Sequence, residues 1–242
     1  MPDRPPNPQL LRSLSRMVRG LSALFWGLPL ALIVCVETLK TDWLHSYTIY
    51  PALATTGLLL FGLWQLNTFQ KQERPWRNAL DRALVFALIN FGLSPFLYWW
   101  NRVPEDLFFG TMVCLLAVSA LLFLFALNLV LQRLGAMLPD ETLRAEMRQY
   151  TPINRVLLIV LLLLSSVYVM LSRFFPHSVP GSDNVDLLSL QIVVPAFGLE
   201  FNSAWVVLGL ICLFILLPLA MTMALIWKTK EVILESVFSG ER

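Results

Sequence analysis

Six long runs of apolar residues constrain this chain more than any other feature of its sequence. Each run has 17 to 25 residues, the length that an α-helix needs to cross the hydrocarbon of a bilayer. A helix satisfies its own backbone hydrogen bonds, which lipid cannot do, whereas membrane β-strands are shorter and alternate. The runs are Leu21–Leu39, Pro51–Phe69, Ala83–Trp100, Leu107–Leu131, Val156–Ser172 and Ala204–Trp227. They predict an all-α, polytopic membrane bundle of six transmembrane helices.

The composition agrees with this prediction. Of the 242 residues, 57% are hydrophobic and 14% are charged, whereas a soluble domain has about 25% charged residues. This excludes a disordered chain, a disulfide-rich secreted domain and an ordinary cytosolic enzyme. The three cysteines lie inside the runs without a C-x-x-C spacing, so they predict neither a disulfide framework nor a zinc site.

The basic residues predict the orientation. Of the 18 Lys and Arg residues, 15 lie in the N-terminal tail, the second and fourth loops and the C-terminal tail. By the positive-inside rule these segments are cytoplasmic, so both termini are inside. The first run lacks an A-x-A cleavage site and is expected to remain as a signal-anchor. The expected location is the inner (cytoplasmic) membrane of a bacterium. A basic inner face suits anionic lipids and needs no nucleic acid to explain it.

The chain divides into three segments. Residues 1–20 are expected to form a Pro-rich tail and a basic interfacial helix, and residues 21–227 a single six-helix domain. Residues 228–242 are expected to form an inner amphipathic tail. The one substantial outer loop is 173–203, where apolar residues partly alternate on both sides of Pro195. This alternation predicts a small hairpin or a re-entrant cap.

Short amphipathic segments adjoin the runs on the inner side. Basic residues at helical spacing are candidates for binding a partner or lipid. They are Arg12, Arg16, Arg19, Arg144 and Arg148. In the fourth loop, Glu141 and Glu146 are expected to pair with the nearby arginines. Two interpretations stay open, because juxtamembrane segments often look like this, but a cytoplasmic partner could also dock here.

Polar residues inside the runs are few. Five of the six runs lack ionisable residues, which argues against a proton-coupled pump. The candidates for lining a polar path or for packing two helices together are Asn90, Pro95 and Asn128. Asn90 either holds two helices together by a hydrogen bond or lines a pore or substrate pocket. No G-x-x-x-G motif occurs, so the sequence does not predict a close approach of two helix backbones.

Evidence for catalysis is weak. Both histidines lie in outer loops, which disfavours a bis-histidine haem. The weak candidates for an outer metal site are His45, His177, Asp183 and Asp186, because imidazole and carboxylate are suitable ligands. No ligand spacing supports that site, and the motifs G-x-S-x-G and H-E-x-x-H are absent. No cofactor is expected, and the balance is against an enzyme.

Three functions remain open at this point. The first is a non-enzymatic scaffold or accessory subunit of a membrane complex, with a membrane or cytoplasmic protein as partner. The alternative is a small channel or uncoupled transporter that Asn90 lines. A weaker alternative is a membrane enzyme with a histidine and carboxylate site on the outer face. A water-accessible cavity at Asn90 would favour transport, whereas a closed bundle with an exposed apolar groove on the inner side would favour the scaffold.

Overall fold

The computed structural model of the chain is almost entirely α-helical. It describes residues 8–40, 49–67, 73–103, 106–138, 140–174, 191–194 and 199–238. The helices in these ranges are α1 (Pro8–Lys40), α2 (Tyr50–Leu66), α3 (Arg74–Leu93), α4 (Phe96–Arg102), α5 (Leu107–Met137), α6 (Glu141–Phe174) and α7 (Ser203–Phe238). Two short strands, β1 (Gln191–Val194) and β2 (Leu199–Asn202), lie between α6 and α7.

Each predicted apolar run overlaps a helix. Within the described residues, four helical stretches are long and apolar enough to cross a membrane. They are Arg12–Thr38, Arg74–Arg102, Leu107–Met137 and Arg144–Val167. The second run corresponds to α2, which has only 17 residues, and the sixth lies within α7. The structure therefore supports a helical membrane protein with four candidate spans, and the count of six remains a prediction.

Helices α1 and α2 are antiparallel and approach closely at two glycines. A Cβ atom built on Gly20 would lie 2.7 Å from the Gly62 carbonyl oxygen, so neither position has room for a side chain. Further along, a Cβ on Gly27 would lie 2.7 Å from Leu59 Cδ2. One glycine from each helix is enough for this approach, which is why the absence of a G-x-x-x-G motif did not reveal it.

Neighbouring helices elsewhere in the bundle also run in opposite directions. As the residue number rises along one helix, the number of its contact partner on the next helix falls. The contacts are Thr56 with Ser94 and Gly57 with Phe91 for α2 and α3, Gly135 with Met147 and Asn128 with Asn154 for α5 and α6, and Glu146 with Lys228 and Asn154 with Thr222 for α6 and α7. For α3 and α5, Asn90 contacts Ser119, and Trp76 and Arg133 line the same cleft. The start of α1, α3 and α6 and the end of α2, α5 and α7 therefore share one end of the bundle, which we call the basic end.

The amphipathic segments at the basic end are continuous with the long helices. The basic stretch before residue 21 is the first part of α1, and residues 75–83 belong to α3. The predicted short interfacial helices are thus extensions of α1, α3, α6 and α7. Continuation avoids extra helix ends, each of which leaves backbone groups unpaired. The apolar faces of these extensions are buried, as at Met17, Trp76 and Ile233.

The loop between α6 and α7 contains an antiparallel ribbon. Strand β1 pairs with β2 so that Gln191 lies opposite Asn202 and Val194 lies opposite Leu199. This position agrees with the hairpin that the alternation around Pro195 predicts. Strand β2 leads directly into α7.

The contact between α1 and α2 gives a first prediction. In Gly20→Ala, the new methyl group would press against the Gly62 carbonyl, and we expect a loss of about 1–3 kcal/mol of unfolding free energy from overpacking. Denaturation in mild detergent, followed by circular dichroism, measures this loss. Gly92→Ala is the matched control, because no atom lies within 4 Å of a Cβ at that position. Equal stability of the two variants would contradict the close approach.

Candidate functional site

Asn90 lies at the interface of α3 and α5. Its side chain is 6% exposed, and its Oδ1 accepts a hydrogen bond from the Ser119 hydroxyl. Ser119 is also buried. Of the two roles expected for Asn90, this geometry corresponds to helix packing, because the amide contacts a side chain of α5.

Pro95 separates α3 from α4 because proline has no N–H to donate to the Phe91 carbonyl. The Ser94 hydroxyl donates to that carbonyl instead, at 2.9 Å. Thr56 of α2 lies 3.4 Å from the same hydroxyl. The Phe91 carbonyl, which has no N–H partner at Pro95, is therefore hydrogen-bonded by the Ser94 side chain. The same Ser94 hydroxyl also contacts α2.

Asn128 belongs to a second polar cluster, which joins α5, α6 and α7. The Asn128 Nδ2 group donates to Thr222 Oγ1 at 3.1 Å, and Asn154 Nδ2 donates to Asn128 Oδ1 at 2.9 Å. Asn154 Nδ2 also lies 3.1 Å from Thr222 Oγ1. The Thr222 hydroxyl in turn donates to the Pro218 carbonyl at 2.7 Å. All three polar side chains are fully buried, so they join the three helices at one point.

The two clusters lie at different depths. Ser119 and Asn128 are nine residues apart on α5, which corresponds to about 13 Å along a helix axis. The cluster of Asn128, Asn154 and Thr222 is the one closer to the basic end. Polar contacts thus join α3 to α5 at the depth of Ser119, and they join α5, α6 and α7 at the depth of Asn128.

Sequence reasoning missed Asn154 and Thr151. Both were assigned to the inner loop, because the fifth apolar run begins at Val156. Both are buried, and Asn154 Oδ1 and Thr151 Oγ1 have no hydrogen-bond partner among the described atoms. Their spacing in the sequence could have revealed them. Met147, Thr151, Asn154 and Leu158 follow one another at intervals of four, three and four residues, as on one face of a helix, and they form one buried stripe on α6.

Arg155 connects α6 to α5 beside this stripe. Its guanidinium donates to the Gln132 side-chain carbonyl, and it lies 5.9 Å from the centre of the Phe125 ring. The Gln132 amide and the Phe125 ring therefore stabilise the positive charge of Arg155.

The arginines predicted to bind a partner or lipid lie at the basic end. The side chains of Arg12, Arg16, Arg19, Arg144 and Arg148 are all exposed. The predicted ion pairs of Arg144 and Arg148 with Glu141 and Glu146 do not form among the described residues. Arg144 donates to the Leu138 carbonyl at 3.1 Å, and Glu146 pairs with Lys228 instead.

The pair of Lys228 and Glu146 ties α7 to α6. The hydrogen bond from Lys228 to Glu146 raises the pKa of Lys228 above its ordinary value, with the charge of Glu146 adding to the effect. Because the pKa in the folded state is raised, this pair stabilises the fold below the ordinary lysine pKa of about 10.4. The contribution is lost as the pH rises through the raised value.

The weak metal candidates His45, His177, Asp183 and Asp186 lie outside the described residues. Within the described part of the chain, no three His, Cys, Asp or Glu side chains come together to hold a metal ion. The polar groups that the structure brings together are therefore amides and hydroxyls.

The second polar cluster gives a further prediction. Asn128→Leu and Thr222→Val each remove one member, and because the two side chains share a hydrogen bond, their effects should not add. We expect a coupling free energy of about 0.6–1.7 kcal/mol, the range for hydrogen bonds between membrane helices. A double-mutant cycle of unfolding in detergent measures it. Ser166→Ala is the control, because that exposed hydroxyl bonds within its own helix. Strictly additive effects would show that the pair does not interact.

Comparison with known proteins adds no family to this description. No protein-family description, curated protein or solved structure matches the chain. The interpretation of the site therefore rests on the geometry of its residues.

Proposed function

We propose that this protein is a six-span membrane scaffold or accessory subunit without catalytic activity, with both termini in the cytoplasm. The observation that carries the proposal is the pairing of the amides inside the bundle. Asn90 bonds to Ser119, and Asn128 bonds to Asn154 and Thr222. A pore or substrate pocket needs polar groups that face water or solute, whereas these groups hold neighbouring helices together.

The distribution of charge supports the orientation. The arginines of α1 and α3, Arg144, Arg148 and Arg155 of α6, and the lysines of α7 lie toward the basic end, whereas Arg173 lies at the far end of α6. Anionic lipids on the cytoplasmic side favour the charge of the basic end. Exposed tryptophans toward this end, Trp64 and Trp227, resemble the aromatic belt at a membrane interface. We propose that this end lies at the inner face of a cytoplasmic membrane, and a bacterial membrane remains the expected location.

The two remaining spans in this proposal are α2 and α7. Helix α2 has 17 residues and corresponds to about 25 Å, the lower end of the length that crosses hydrocarbon. It packs antiparallel to α1, so its position beside a candidate span supports the assignment. Helix α7 contacts both α5 and α6 through Thr222.

The partner surface proposed here is the set of exposed arginines rather than the apolar groove that the sequence predicted for a scaffold. Met17 and Trp76 at the basic end are buried in the bundle, whereas Ile153 of α6 is exposed. Exposed arginines remain, so the partner that fits is an acidic protein surface or an anionic leaflet. The alternative of a small channel or uncoupled transporter is separated from this proposal by the experiments below.

Co-purification tests the scaffold. We expect one protein to remain with the chain in stoichiometric amount when native membranes are extracted in mild detergent. Replacing Arg12, Arg16 and Arg19 by Gln should lower its retention several-fold, because charge complementarity across the interface is lost. Replacement of Lys40, Arg102 and Arg173 by Gln is the control, since it removes the same charge from the opposite end of the bundle. A homo-oligomer without a partner, or equal retention by both triple variants, would contradict the proposed surface.

Flux measurements test the alternative. Reconstituted wild-type protein and Asn90→Leu should both show the solute leakage of protein-free vesicles, because Asn90 faces Ser119 rather than a water path. Recovery of each variant as a monodisperse species serves as the control for folding. A flux that requires the wild-type Asn90 would favour the channel or transporter.

A further inference from the structure

A cleft opens at the basic end between the start of α3 and the end of α5. Its volume is about 240 Å³, several times the share of liquid volume of one water molecule. The residues that line it are Glu73, Pro75, Trp76, Arg133, Ala136 and Met137. None of them belongs to the two buried polar clusters.

Opposite charges line this cleft without neutralising one another. The ion pairs among the described residues join Arg77 to Asp81 and Lys228 to Glu146. Glu73 and Arg133 therefore present a carboxylate and a guanidinium to one space without forming a pair. Both residues are exposed, so a ligand entering the cleft can reach both charges.

The remaining lining is aromatic and apolar, with one polar group that lacks a partner. Trp76 is 1% exposed, and its Nε1 has no hydrogen-bond partner among the described atoms. Because this nitrogen is fully buried, Trp76 offers the cleft its ring rather than its N–H. Pro75, Ala136 and Met137 complete the lining with groups that suit the hydrocarbon part of an amphiphile.

We propose that this cleft binds the headgroup of a zwitterionic phospholipid that carries a primary ammonium group, a phosphoethanolamine headgroup. The phosphate bonds to the Arg133 guanidinium, and the ammonium bonds to the Glu73 carboxylate. The apolar lining contacts the start of the lipid chains. This inference rests on the proposed function in one respect, because it requires the basic end to lie in the headgroup layer.

The charges explain why other headgroups fit less well. A phosphocholine headgroup has no N–H to donate, so the Glu73 carboxylate would lose hydration without gaining a hydrogen bond. A phosphoglycerol headgroup and inorganic phosphate carry net negative charge, which Glu73 repels. Selectivity for phosphoethanolamine therefore depends on Glu73, whereas binding of any phosphate depends on Arg133.

Native mass spectrometry tests the inference. The full chain is exchanged into detergent with equal amounts of phosphatidylethanolamine, phosphatidylcholine and phosphatidylglycerol, and the lipids that stay bound are counted. Wild-type protein should retain phosphatidylethanolamine preferentially. Arg133→Gln should lower this retention about threefold, as for the loss of an exposed ion pair. Glu73→Gln should remove the preference and raise the share of phosphatidylglycerol.

Matched controls separate the cleft from general charge. Arg82→Gln and Glu141→Gln remove exposed charges at the same end but outside the cleft, and they should leave the preference unchanged. Soluble phosphoethanolamine competes with the lipid only if the headgroup alone is bound, so failure to compete at millimolar concentration indicates that the lipid chains contribute. Equal retention of all three lipids, or equal effects in cleft and control variants, would overturn the proposal.

A separate measurement of orientation distinguishes a failure of the cleft proposal from a failure of the proposed function. Protease protection of the reconstituted chain shows which side of the membrane holds the basic end. A chain that has the predicted orientation and shows no lipid preference contradicts the cleft alone. A chain without the predicted orientation contradicts the proposed function before any lipid is counted.

Discussion

Hydrocarbon offers no hydrogen bonds, and the arrangement of this bundle depends on that constraint. Every polar side chain that enters the apolar part of the chain needs a partner on the protein itself. Ser94 supplies one for the carbonyl that Pro95 leaves open, and Ser119 supplies one for Asn90. Asn128, Asn154 and Thr222 supply one another. The amide groups of Asn90, Asn128 and Asn154 therefore join neighbouring helices, although Asn154 Oδ1 and the nearby Thr151 hydroxyl have no partner among the described atoms. The scaffold proposal is based on these joined amides.

Because the helices are packed antiparallel, basic segments that alternate along the chain lie together at one end of the bundle. Helices that alternate in direction bring every second connection to the same end, so arginines far apart in sequence share one surface. At that surface the apolar faces of the helix extensions are buried against the bundle. The exposed residues there include arginines beside carboxylates such as Glu141 and Glu231, together with a cleft that also holds the Glu73 carboxylate. A polar partner or a lipid headgroup fits this end better than an apolar helix does.

Much of the fold follows from the sequence, because apolar runs and arginine placement act over whole helices. The runs predicted where the helices lie, and the alternation around Pro195 agrees with the ribbon. Features that depend on single contacts between helices were not predictable. The approach of Gly20 to Gly62 uses one residue from each helix, so no motif marks it. Asn154 was missed because a polar residue beside arginines resembles a loop, although its stripe with Met147 and Leu158 is helical. The glutamate that pairs with Lys228 was expected to bond within its own helix.

Water accessibility of the bundle interior tests the central claim most directly. In a chain whose native cysteines are replaced by alanine, a single cysteine is placed at Ser119 or at Arg74 and treated in proteoliposomes with a charged, membrane-impermeant thiol reagent. The account predicts that Ser119→Cys stays unmodified from both sides, because the position is buried against Asn90, while Arg74→Cys at the exposed basic end reacts. Rapid modification of Ser119→Cys would show a water-filled path through the bundle and would contradict the account.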